Sequence, residues 1–403
     1  MSTRSDVFKP LLMGEHPIPG IWSFLLPEDF SYLRLPKEEK SSCGQCPQIE
    51  KQGFRSDYRC CTYFPRIPNF MLGLALREGV SERVALVRRL IDGNFVLPEG
   101  TQASPGLWKR SIIQNSEEKF GRGDDVLCPF LDKIHSMCGI HNYRGSVCST
   151  FFCELDHGGV SEDFWDQLQS LMLQLESALA QHLMEKQGFS LASYFGTFDQ
   201  WAARLDECSL RNGAWSEEIY ALLWQDFAGT EEDFLLSCAD YVLEHLDELF
   251  DIASSQKIHQ TQLFEKASYE SVPRRHHGER DREPYVEGVA TPIPQLWYQL
   301  QAQHKNLWNF PLDSKLKLPS DLRFEENPKD ASVSSYYQKY PFRLVRMERF
   351  YMYLDEKEHD LLIKFKDSPV LDSQLLDEIG RSYEDPRDRI AQWLNKKILE
   401  IVD

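Results

Sequence analysis

The sequence predicts a mainly α protein with an irregular Cys-rich metal-binding region in its first half and a small C-terminal α+β part, a hairpin plus helices. Three observations carry this expectation. From 161 to about 266, apolar residues recur at helical spacing with few interruptions. Eight of the ten cysteines fall between Cys43 and Cys153, where proline and glycine break any regular period. From 343 to 365, two runs rich in aromatic and aliphatic residues flank a charged turn, the pattern of a hairpin.

Composition frames these elements. The 403 residues are 42% hydrophobic and 12% aromatic, enough to bury the core of one large domain or two or three smaller ones. The 63 acidic and 45 basic residues leave a charge of −18, so a nonspecific nucleic-acid binder, which needs a basic footprint, is not expected. Residues 1–20 carry charges and prolines in place of an apolar core, which predicts no secretory signal. No window approaches the ~20 apolar residues of a membrane-crossing helix. The expected compartment is the cytoplasm, where clustered cysteines bind metals or react rather than pair as disulfides. The expected partner is a protein, neither nucleic acid nor membrane.

In chain order, 1–42 reads as an irregular lead-in whose Trp22, Phe24, Leu25 and Leu26 dock on the core. Two prolines make 62–69 extended. Helices follow at about 70–77 and 81–91, the second capped by Ser81 and ended by Gly93. Six glycines and prolines predict a loop-rich excursion over 98–125. A long helix from Ser161 to Gly188 carries Phe164, Leu168, Leu171, Leu175, Leu179 and His182 on one face. Further helices are predicted at about 190–206, 215–227 and 231–254, the last started by Thr230. The charged run from Arg274 to Glu283, with His276 and His277, reads as a linker. A helix at 295–308 precedes strands at 343–354 and 360–365 joined by a turn at 355–358. Helices at 372–379 and 386–402 close the chain, the latter opened by Asp385-Pro386. The expected organisation is a cysteine-cluster domain at 1–160, a helical region at 161–267 packed on it, a linker at 268–295 and an α+β module at 296–403.

The cysteines form two groups. The first is Cys43-Gly-Gln-Cys46 followed by the adjacent Cys60-Cys61. The second comprises Cys128-Pro-Phe-Leu-Asp, Cys138-Gly-Ile-His, Cys148 and Cys153. Thiolates are the usual ligands of zinc and of iron–sulfur clusters, and both need several brought together. Adjacent side chains diverge, so Cys60 and Cys61 are not expected to serve one metal equivalently. Five residues on a helix rotate Cys148 and Cys153 roughly 140° apart, so sharing a metal requires a break between them. Eight thiols exceed one zinc site and lack the paired C-x-x-C knuckles of zinc modules, which favours iron–sulfur. Arg144 is a candidate hydrogen-bond donor to sulfur and His141 a ligand or donor candidate. His135 and His157 are weaker ones, and Cys208 and Cys238 read as packing residues on helices.

This order of C-x-x-C, Cys-Cys, Cys-Pro-Phe-Leu-Asp, Cys-Gly-Ile-His, Tyr-Arg and C-x-x-x-x-C over residues 40–160 resembles the YkgJ-type cysteine-cluster family. These proteins are described as zinc- or iron-chelating domains, and flagellin lysine-N-methylases carry a related arrangement. The resemblance implies a metal-site set of Cys43, Cys46, Cys60, Cys61, Cys128, Cys138, Cys148 and Cys153, holding an iron–sulfur cluster or zinc. Two features depart from the family: residues 47–59 interrupt the front cysteines, and Gly145 stands where the family commonly has proline. A metal-binding protein is therefore the first expectation. A lysine-methylase-like or redox enzyme using the centre is the second, and a zinc-stapled protein-interaction module the third. P-loop, dinucleotide-binding, HExxH and GxSxG motifs are absent from the sequence.

Overall fold

The computed structural model describes residues 4–13, 16–38, 53–116, 121–123, 125–202, 212–259, 291–308, 315–327, 339–346, 349–367 and 373–402. Cys43, Cys46, Cys208 and the 268–290 part of the expected linker lie outside these described residues.

Within residues 4–13 and 16–38 the lead-in forms short regular elements. A short hairpin, β1 (Leu11–Met13) and β2 (His16–Ile18), precedes α1 (Trp22–Leu25). Trp22 and Leu25 are fully buried and Leu26 nearly so. Then come α2 (Asn69–Glu78), α3 (Ser81–Asp92), the β3–β4 hairpin (Val96–Leu97, Gly100–Thr101) and α4 (Pro105–Ser116). The N-cap of α3 is Val80 and Ser81 is its first helical residue, a shift of one from the expected cap. Helix α4 lies where the glycines and prolines predict loop. Its Pro105 is a helix-starting residue, because the first turn's N–H groups have no partner within the helix in any case.

The second cysteine group occupies the β5–β6 hairpin (Leu131–Asp132, Met137–Cys138) and the one-turn α5 (Ser146–Ser149). Helix α6 (Gly159–Lys186) follows, with its expected apolar face at 164, 168, 171, 175 and 179 fully buried. Around it stand α7 (Leu191–Ala202), α8 (Glu217–Trp224), α9 (Glu231–Glu244), α10 (Leu249–Ser255) and α11 (Ile293–Leu307). The single helix expected over 231–254 is two. The backbone N–H of His245 and its ring Nδ1 both donate to the Tyr241 carbonyl and end α9 there. Helix α2 packs on α9 with backbones in contact at Gly73, where a Cβ would overlap the Leu235 carbonyl. One apolar core runs from Val7 to Leu307 through these helices.

A second core belongs to the C-terminal part, around Leu344, Leu354, Leu362, Phe365, Ile379, Ile390 and Trp393. Strand β7 (Lys315–Lys317) precedes a three-stranded antiparallel sheet of β8 (Leu322–Glu326), β9 (Phe342–Arg346) and β10 (Arg349–Leu354), in the order β10-β9-β8. The expected hairpin is thus folded inside the segment read as one strand, with Leu354 opposite Phe342. The expected turn and second strand are helix α12 (Glu356–Lys364). Its N-cap Asp355 accepts from the Glu358 N–H at 2.7 Å, which fixes a helix start that apolar alternation had masked. Helices α13 (Ser373–Gly380) and α14 (Pro386–Asn395) follow. The last helix ends at Asn395 rather than running to 402, and β11 (Glu400–Val402) pairs antiparallel with β7.

The two cores meet where the cysteine region runs into α6. His157 is fully buried between them. Its Nδ1 accepts from Asn395 Nδ2 at 2.9 Å, which leaves Nε2–H to donate to Asp388 at 3.2 Å. Gln392 supports that carboxylate at 2.9 Å, and Arg34 reaches across to Asp385. His157 therefore holds the C-terminal part against the body rather than facing the thiols.

Candidate metal centre

Three chain segments carry the described thiols. The first is a tight turn in which the Arg59 N–H bonds the Arg55 carbonyl at 2.7 Å and the Cys61 N–H bonds Tyr58 at 3.1 Å. The turn places Cys60 and Cys61 side by side. The second is the β5–β6 hairpin, with Cys128 just before one strand and Cys138 ending the other. The third is α5, which carries Cys148. Cys153 follows in the irregular segment before α6, so the expected break between Cys148 and Cys153 is present at Thr150. No disulfide joins the described cysteines.

The front and back groups are tied directly. The Cys128 N–H donates to the Cys61 carbonyl at 2.9 Å, across a separation of 67 residues, and Leu131 N–H closes back on the Cys128 carbonyl at 3.1 Å. The thiols respond to one another in consequence. Burial first, then the charges of Cys148, Cys138 and Cys60, push the Cys128 thiol well above the usual range. Cys148 is pushed up by burial, and Cys60 by its hydrogen bond with Cys61 and by burial. Four thiols, Cys60, Cys128, Cys138 and Cys148, therefore stand within electrostatic reach of Cys128 or of one another. Among the described residues, no group of three or more His, Cys, Asp or Glu side chains is placed so that it could hold a metal ion.

Helix α6 is one wall of this arrangement. Glu176 projects from it, fully buried. One carboxylate oxygen accepts from the Ser146 N–H at 3.1 Å and the other from Trp22 Nε1 at 3.1 Å. That pair docks the first turn of α5, and with it Cys148, on the long helix. Gln169 adds a bond to Thr150 at 3.0 Å. Between α5 and the extended segment at Arg66 there is no room for a side chain: a Cβ on Gly145 would overlap the Arg66 carbonyl oxygen. Glycine at 145 therefore follows from the closeness of the two backbones.

Burial pushes the Glu176 carboxyl up to about 7, with its hydrogen bonds and Arg66 pulling the other way. Burial and then the charge of Asp156 likewise push Glu38 up, where it accepts from Trp165 Nε1 at 2.8 Å. A carboxyl raised in the folded state binds its proton more tightly there than in the unfolded chain. Its stabilising contribution is complete below about pH 4.5 and is lost as pH rises through about 7. Glu176 alone corresponds to on the order of 3 kcal/mol across that window, and Glu38 acts in the same direction. His141, held down to about 4, acts in the opposite direction below about pH 6.5. Urea unfolding at pH 5 and pH 8 is therefore compared between wild type and Glu176→Gln: from pH 5 to pH 8 the wild type is expected to lose more stability, or gain less, than the variant, and an identical pH dependence would contradict the buried placement of Glu176.

The other polar candidates separate clearly. Arg144 lowers the pKa of both Cys60 and Cys148 through its charge. Its guanidinium donates to the Pro17 carbonyl at 2.8 Å and the His141 carbonyl at 3.1 Å, so it supplies positive charge to the thiols from a fixed position. His141 is held down to about 4 by burial and by the charges of Arg144 and Arg83, and is neutral. His135 sits on the exposed tip of the β5–β6 hairpin, its ring Nδ1 2.6 Å from Asp132. Cys238 is buried in the helical core, as expected of a packing residue. Sequence reasoning missed Tyr63, whose hydroxyl lies 3.2 Å from the Cys148 sulfur, and Glu176. Neither belongs to a cysteine motif, and Glu176 reaches the site from a helix that reads in sequence as purely structural.

No family model, curated protein or solved structure matches this chain.

Proposed function

We propose that the chain is a metal-binding protein holding a thiolate-ligated centre between its cysteine segments. Cys60, Cys128 and Cys148 are the inner donors, Cys138 stands beside Cys128, and Cys43 and Cys46 contribute from the segment before the Cys60 turn. The carrying observation is the burial of thiols that raise one another's pKa around a shared backbone link, Cys128 N–H to the Cys61 carbonyl. Such a cluster is unfavourable as several thiolates and becomes favourable once a cation neutralises them. The donor set is soft sulfur, which suits iron–sulfur clusters and zinc alike. Eight thiols between Cys43 and Cys153 favour the iron–sulfur cluster, which would supply one-electron chemistry. A thiolate centre of this kind requires a reducing compartment, and the cytoplasm is the one proposed.

Metal analysis tests the reading. The full chain purified without oxygen is expected to carry iron and acid-labile sulfide in stoichiometric amounts. Stoichiometric zinc without sulfide would exclude the cluster and keep the thiolate centre. No retained metal, with none taken up on reconstitution, would contradict both.

One observation favours the zinc-stapled reading with a protein partner as second choice. The thiols sit on a tight turn, a two-residue-per-strand hairpin and a one-turn helix, short elements of the kind that a structural metal fixes.

A further inference from the structure

We infer that Cys60 and Cys61 are a dithiol that hydrogen peroxide closes reversibly to a disulfide, and that the closure turns the Cys61 carbonyl away from the Cys128 N–H. No bound metal is required: the pair acts in the metal-free chain.

The turn supplies the pair. Both thiols are free and half-buried, and the Cys60 thiol lies within hydrogen-bonding reach of the Cys61 sulfur. Only one peptide bond joins the two residues, so no separate segment has to move to bring the sulfurs together. The ring so formed is strained. Adjacent Cα atoms stand about 3.8 Å apart across a trans peptide, closer than the roughly 4.4–6.8 Å of ordinary disulfides. Strained and exposed disulfides are the easily reduced ones, so this pair opens again instead of stapling the chain.

The backbone around the pair is set to respond. Arg59, just before it, has φ +53°, a left-handed conformation that residues other than glycine rarely adopt. Its N–H donates to the Arg55 carbonyl at 2.7 Å, and the Cys61 N–H donates to the Tyr58 carbonyl at 3.1 Å. Forming the bond draws the sulfurs from hydrogen-bonding distance to about 2.05 Å and fixes the torsions on both sides of the peptide between them. The Cys61 carbonyl, next along the chain, turns with them and leaves the Cys128 N–H, which it now accepts at 2.9 Å.

The chemistry balances. Peroxide oxidises one thiol to a sulfenic acid, and one water leaves. The second sulfur displaces the sulfenic hydroxyl, which takes the second thiol's proton and leaves as another water. Two thiols and one peroxide thus give one disulfide and two waters.

The test treats the reduced, chelator-stripped full chain with hydrogen peroxide, alkylates the remaining thiols and maps the tryptic peptides. Cleavage after Arg59 and Arg66 isolates both residues on one peptide, 60–66, with no other cysteine. That peptide is expected to escape alkylation, to be two hydrogens lighter than the free dithiol, and to accept the alkylating agent once dithiothreitol has reduced it. Peptide 60–66 found as the free dithiol, cross-linked to another cysteine peptide, or carried on to sulfinic or sulfonic acid would overturn the pair. Hydrogen exchange at the Cys128 amide is expected to be several-fold faster in the oxidised chain than in the reduced one. Equal exchange in the two would overturn the movement of the Cys61 carbonyl. No substitution is involved, so a folding defect in a variant does not enter the result.

Discussion

Cys128→Ser is expected to lower metal affinity several hundredfold while leaving the helical body folded. Cys128 is the node of the thiol group: Cys148, Cys138 and Cys60 all act on its sulfur, and its N–H is the link to the Cys61 carbonyl. Serine keeps the backbone link and nearly the same volume but offers a hydroxyl that does not ionise near neutral pH. A thiolate-ligated structural metal contributes about 10–16 kcal/mol, so losing one of four ligands removes roughly a quarter of it. Competition with a chelator, read by metal release, measures the change. Cys238→Ser is the contrast. That sulfur is buried in the helical core, 0% exposed, with no thiol among the causes of its shift. It is expected to cost about 1–3 kcal/mol of folding stability through a buried hydroxyl and to leave metal affinity unchanged. Equal metal affinity in wild type and Cys128→Ser would remove Cys128 from the centre.

Gly145→Ala is expected to destabilise the chain by about 1–3 kcal/mol and to weaken metal binding at the same time. The added Cβ would occupy the position of the Arg66 carbonyl oxygen. The Arg66 segment has little freedom to move, because the next residue, Ile67, bonds Thr101 both through its N–H, at 2.8 Å to the hydroxyl, and through its carbonyl, at 2.9 Å to the N–H. Helix α5 is the part that yields, and it carries Cys148 and the Ser146 N–H that Glu176 accepts. A control separates steric overlap from ordinary glycine loss. Gly79 has φ +77° with nothing within reach of an added Cβ, so Gly79→Ala costs about 1–2 kcal/mol of backbone strain without touching the site. Thermal melts and the same chelator competition on both variants check this. Metal affinity lost by Gly79→Ala and retained by Gly145→Ala would contradict the docking of α5 described here.

Much of the fold was legible because its determinants are local. The stripe from Phe164 to Leu179 repeats at 3.6 residues and became α6; Asp385-Pro386 started α14 as its chemistry dictates. Misreadings came where two signals compete. Pro105-Gly106 looks like loop but begins α4. The aromatic run at 343–354 carries no glycine, asparagine or proline, so one strand is the natural reading where β9 and β10 pair. Asp355 with Glu358 is a helix-start pattern, yet the apolar residues from Leu361 to Phe365 outweighed it. At the site, the thiols announce themselves by spacing. What holds them does not: Tyr63 meets Cys148 from 85 residues away and Glu176 meets Ser146 from 30, contacts that the fold alone creates.

X-ray absorption at the edge of the metal retained by the anaerobically purified chain tests the thiolate centre most directly. The expected first shell is sulfur at about 2.3 Å, for zinc and for an iron–sulfur cluster alike, and it is expected to lose intensity in Cys128→Ser. A first shell of oxygen or nitrogen alone, or one identical in wild type and Cys128→Ser, would contradict it.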